Sequence, residues 1–94
     1  MSNIDWSMLI TKQMKEDAIK AAELVVATSR EDAWRGAELL FAADQLMAIE
    51  DDDPNRLPGT DRQWRDYRIA VRAWKEGSPD FPIEELRPKR PLGK

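Results

Sequence analysis

The 94-residue chain contains no cysteine and no histidine. That removes disulfides, thiolate nucleophiles, Cys/His zinc sites and imidazole acid–base chemistry in one step. Absence of cysteine is also compatible with a reducing compartment. No run approaches the ~20 apolar residues that a membrane-spanning helix requires. The N-terminus lacks the basic-then-apolar order of a secretory signal, so a soluble, intracellular protein is expected. Glycine is scarce: Gly36, Gly59, Gly77 and Gly93 stand alone, which leaves no glycine-rich phosphate loop. The length accommodates one small domain, residues 1–94, and no second.

What is present is charge, unevenly placed. Residues 1–53 carry twelve acidic against five basic side chains, and residues 54–94 carry six against ten. An acidic front and a basic back attract each other, within one chain or between two.

The stretch 60–91 organises the rest. Thr60 is suited to cap a helix, with Gln63 reaching back to it in a capping box. Trp64, Tyr67, Val71 and Trp74 then follow at spacings of three, four and three, one stripe of a helix expected over 61–76. Gly77 is the natural left-handed stop, and Pro79 prevents resumption. So short a helix must dock on something. Its stripe suits either a lid on the upstream helices or a face for another protein.

Upstream, residues 1–10 read as an N-terminal arm, extended or in a loose turn, with Trp6 packed on a helix or a partner. Residues 11–50 read as helical, with Thr11 as N-cap and Met14, Ala18, Ala21, Leu24 and Val25 on one face. Ser29 followed by Asp32 is a capping-box pattern, which leaves open a turn there or one continuous helix. A helix over Arg30–Glu50 is expected either way, with Asp44 at its border and able to pair with an arginine of the last helix. Residues 51–60 hold two prolines and a glycine and read as a linker. Residues 77–94 read as an extended proline-rich tail, with short helical character at 83–86. The expected fold is all-α: a helical hairpin or long bent helix, a shorter C-terminal helix and an extended tail.

Chemistry-bearing motifs are weak. Asp51-x-Asp53-x-Asn55 imitates the start of a calcium loop, but Arg56 and Arg62 occupy the positions that need glycine and glutamate. Carboxylate pairs such as Glu31-Asp32 and Glu84-Glu85 have no nucleophile beside them. The arginines at 62, 65, 68 and 72 suit phosphate contacts, yet the chain as a whole is acidic, with a pI near 5.0. No enzyme activity, cofactor, metal, nucleic acid or membrane partner is expected.

The chain resembles the phage tail assembly chaperone family, the small proteins often encoded beside tail-fibre genes of tailed bacteriophages. The residues that carry the resemblance are Arg35, Leu39, Leu40 and Asp44, then the proline-containing connection. A W-x-x-Y-R-x-x-x-R core of Trp64, Tyr67, Arg68 and Arg72 follows, then the proline steps Phe81-Pro82 and Leu86-Arg87-Pro88-Lys89-Arg90-Pro91. The opening, Ile4-Asp5-Trp6-Ser7 with Leu9-Ile10-Thr11 and Met14-Lys15, is similar as well. The chain departs from the family where a Trp-Pro step is common and Arg87-Pro88 stands. The resemblance implies a protein that holds a tail or tail-fibre protein non-covalently in the host bacterial cytoplasm. Tyr67, Trp74, Phe81 and Leu86 are then the candidate partner-binding surface, with Arg68 and Arg72 fixing orientation. A small phage-encoded inhibitor or adaptor that binds a host protein would carry the same features. The surplus of apolar helix surface also suits a homodimer.

Overall fold

The computed structural model describes residues 5–92, with side chains from residue 12 onward. Among them the chain is all-α, and no strand is present. The long first helix, α1, spans Asp5–Glu50 without interruption. At 1.5 Å per residue its 46 residues are about 69 Å long, which accounts for most of the molecule's 79 Å extent. Thr28 and Ser29 lie inside α1, so the open choice resolves as one continuous helix. No proline occurs between residues 5 and 50 to force a break, and Gly36 alone costs only about 1 kcal/mol relative to alanine.

Two expectations are corrected here. Residues 5–10 are helical and not an extended arm, and Thr11 is inside the helix and not its cap. Residues 1–4 and the packing expected of Trp6 lie outside what the structure describes.

The exit from α1 is built without glycine. Asp52 takes the left-handed conformation, φ 54°. The amide of Asp53 donates to the Ala48 carbonyl at 2.9 Å and that of Asp52 to Ile49 at 3.1 Å, which closes the last turn in a Schellman arrangement. Pro54 then bars further helix. Along the connection, the Leu57 amide donates to Oε1 of buried Gln45 at 3.0 Å, pinning the loop to α1.

The second helix, α2, spans Asp61–Arg72. The capping box forms as expected: the Gln63 amide donates to Thr60 Oγ1 at 3.1 Å, and the Thr60 amide donates to Gln63 Oε1 at 2.9 Å. Trp64, Tyr67 and Val71 are buried against Ala42, with Trp34, Leu39, Phe41, Leu46 and Ile49 around them. Trp64 meets Phe41 and Tyr67 edge-on, with ring centroids 6.0 and 5.7 Å apart. Gly59, at φ 123°, allows this fit, because a Cβ there would stand 2.6 Å from Trp64 Nε1.

The helix ends four residues sooner than expected. Ala73 is the C-cap, and Trp74 leaves the helical path with its amide on the Val71 carbonyl. Arg35 Nη1 donates to the freed Trp74 carbonyl at 2.9 Å. Gly77 is left-handed, φ 104°, but within the following turns and not at the helix stop. The tail then runs back along α1, through a short 3-10 turn at Glu84–Leu86, close to where helical character is expected.

Candidate functional site

Among the described residues three polar side chains are buried, Glu31, Glu38 and Gln45, and they recur every seventh residue on one face of α1. A carboxylate in such a place is costly unless paired and hydrogen-bonded. Both carboxylates are paired by arginines of the tail and completed by donors from α1, α2 and Trp74. Arg87 donates to Glu31 from Nε at 2.6 Å and from Nη2 at 2.7 Å, while Arg30 Nε and Trp74 Nε1 add bonds at 2.7 and 3.0 Å. Arg90 grips Glu38 in the same two-pronged way, from Nε at 2.5 Å and Nη2 at 3.0 Å, and the Tyr67 hydroxyl donates to Glu38 at 2.6 Å.

The two grips are one unit repeated. Arg87 stacks over Trp34 at 4.7 Å, and Arg90 stacks over Phe41 at 3.9 Å. Trp34 and Phe41 are themselves seven residues apart. Seven residues of helix rise about 10.5 Å, and three residues of polyproline II span about 9 Å, so Arg87 and Arg90 keep step with Glu31 and Glu38. Arg87 has the polyproline II backbone, φ −58° and ψ 149°, that a following proline favours. Pro88 and Pro91 thus hold the arginines on one side of the tail.

Electrostatics follow the geometry. The Arg87 guanidinium holds the Glu31 carboxyl down, from 4.5 to about 2, against the opposing effect of burial. Arg90 lowers Glu38 in the same manner. Burial, and then the adjacent Glu38 carboxylate, raise the Tyr67 phenol above its usual value. Both carboxylates are therefore ionised, with their acceptor positions engaged by structural donors. Among the described residues no group of acidic side chains is arranged to hold a metal ion. No helix there is long and apolar enough to cross a membrane.

The expected partner-binding residues divide. Tyr67 and Trp74 are buried within the chain's own core and, in this conformation, present no surface to a partner. Phe81 is half-buried, edge-on to Trp74 with centroids 5.5 Å apart. Leu86 is exposed, as is Arg72, and Arg68 is half-exposed. Neither Arg68, Arg72 nor Asp44 takes part in an ion pair among the described residues, so the pairing expected of Asp44 is absent. The self-neutralising charge contacts run instead from α1 to the tail.

The apolar face of the first half of α1 is more prominent. Every residue from Lys12 to Val26 is exposed, including Met14, Ile19, Leu24, Val25 and Val26. The part of α1 that the rest of the chain covers begins only near residue 27. The apolar periodicity of this half was legible, but which half would be covered depends on where α2 and the tail dock. No protein-family model, no curated protein and no solved structure matches the chain.

Proposed function

We propose that this chain is a bacteriophage tail or tail-fibre assembly chaperone, acting in the host bacterial cytoplasm by non-covalent binding of a tail protein and not by catalysis. The observation that carries the reading is the uncovered half of α1. Helices in water owe most of their stability to an apolar face packed on something, and residues 12–26 are all exposed among the described residues. Contiguous exposed apolar surface marks a site for another polypeptide. The second half of the molecule supplies the complement: a clamped platform of α2 and tail that holds the projecting helix at a fixed angle. Arg68, Arg72 and Leu86 flank it as further contacts.

Co-expression with a bacteriophage tail-fibre protein tests the proposal. Soluble yield of the fibre protein should rise, and a V25D/V26D double variant should lose the effect while keeping the parent's urea midpoint. No rise in yield would contradict the proposal. Retention of a defined host protein from uninfected lysate, with no effect on the fibre protein, would favour the inhibitor or adaptor reading instead.

A further inference from the structure

The uncovered surface of α1 is not confined to its first half. At about 100° per residue, Met14, Ala18, Ala22, Val25, Ser29, Ala33, Gly36, Leu40, Ala43 and Met47 form a second stripe along the helix. It lies roughly opposite the face that carries Glu31, Glu38, Ala42 and Gln45. Most of it is open among the described residues, Val25 being 66% exposed, Leu40 76% and Met47 59%, while Ala43, beside α2, is half-buried. A Cβ built on Gly36 would meet no atom within 4 Å. A leucine and a methionine stand in water within two turns of a well-packed core.

We propose that a second copy of this chain covers the stripe, with the two α1 helices antiparallel and the twofold axis at Ser29. The central part of the stripe, residues 18–40, is self-complementary about that residue. Turned end for end, it sets Ala18 against Leu40, Ala22 against Gly36 and Val25 against Ala33, with Ser29 against its own mate. In these pairs Val25 and Leu40 each meet an alanine, which lets the axes approach to the lower end of the usual 8–10 Å. A parallel pair would instead set Leu40 on Leu40 and leave alanine on alanine in the bare half.

Charge agrees with the same arrangement. Lys15 and Asp44 lie on the same side of the stripe, at levels that meet in the antiparallel pair, and Asp44 has no ion-pair partner among the described residues. On the other side, Asp17 of the second copy comes level with residue 41 and so approaches Arg68, which borders Ala43, Leu46 and Met47 at the edge of α2. Area agrees too. From Met14 to Met47 the stripe is about 50 Å long, and about 12 Å of helix width makes it about 600 Å² per chain. That is about 1,200 Å² across the pair, at the threshold of stable interfaces. The pairing is therefore reversible. It occupies the face that the proposed function gives to the client, so self-pairing and client capture exclude each other. The pairing itself is measured with no client present.

Sedimentation equilibrium of the full chain, from micromolar to submillimolar concentration, should show conversion from one 10.8 kDa mass to twice that mass. A single-chain mass throughout would overturn the proposal. Leu40→Glu places a charge in the seam but leaves the α2 platform untouched, so it should raise the dissociation constant at least about tenfold with an unchanged urea midpoint. Dimerisation as tight as the parent's would show the face to be wrong. Because the chain has no cysteine, Ala18→Cys and Leu40→Cys report orientation cleanly. Mixed chains should form the A18C–L40C disulfide. Either variant alone should not, since like positions then lie about 33 Å apart. Cross-linking of each variant with itself alone would mean a parallel pair and would overturn the arrangement. Lys15→Asp should weaken association, and adding Asp44→Lys should restore it; no restoration would remove the charge argument and the register with it.

Discussion

Replacing Arg87 with alanine removes the main partner of a carboxylate that has no access to water. Glu31 is 0% exposed, and its carboxyl is held from 4.5 to about 2 chiefly by Arg87. At 1.36 kcal/mol per unit that shift is on the order of 3 kcal/mol, shared with Arg30 and Trp74. Loss of one member of a buried pair costs about 3–5 kcal/mol, because the other is left charged and desolvated. The lost stacking on Trp34 adds about 0.5–1 kcal/mol. Since Arg30 remains on Glu31, the expected total is about 3–4 kcal/mol. In urea, with a slope near the low end of about 1–3 kcal/mol/M, the midpoint should fall by up to about 3 M. Tryptophan fluorescence is the assay, because Trp74 is bonded to Glu31 itself. A companion variant, E31M/R87M, replaces the pair with apolar groups and should lose less, about 1–2 kcal/mol, chiefly because the buried Trp74 Nε1–H loses its acceptor. A loss below about 1 kcal/mol for Arg87→Ala, or equal losses for both variants, would refute the reasoning.

Three further outcomes are expected. Folded-state depression of Glu31 and Glu38 contributes stability that is complete above pH 4.5 and lost as pH falls toward 2, while the raised Tyr67 contributes stability that is lost above pH 10. Urea midpoints across pH should therefore form a plateau between those limits, and a flat profile below pH 4.5 would contradict the clamp. Gly59→Ala should cost about 1–3 kcal/mol by the same assay, since the position has φ 123° and abuts the Trp64 indole; a neutral result would mean that the connection readjusts. Trp64→Ala should cost about 3–5 kcal/mol, the range for a buried aromatic, and an unchanged melting temperature would show that the α2 stripe is not core.

The parts of the fold legible in the sequence are those whose cause is local. Thr60 and Gln63 cap α2, and the spacing of Trp64, Tyr67 and Val71 names its buried face, because three and four residues make one helical turn. Trp74 continues that spacing and is buried, yet it stands off the helix, since its indole answers to Glu31 some forty residues away. Glu31 appears in the sequence only as half of an exposed-looking acidic pair. Its partner lies 56 residues on, and the one available signal is the matched step: Glu31 and Glu38 seven apart, Arg87 and Arg90 three apart with proline after each. Asp44 fails for the converse reason. It lies on a border, as read, but on the side of α1 away from the arginines that grip the helix.

The central claim is that the chain holds one half and one face of α1 by itself and leaves the rest to another polypeptide. Amide hydrogen exchange of the full chain, followed as a function of concentration, tests this most directly. The account predicts slow exchange for 31–49 and 64–71 at every concentration, and exchange for 12–26 that is fast when dilute and slows as chains associate. Equal protection along the whole of α1, independent of concentration, would contradict it.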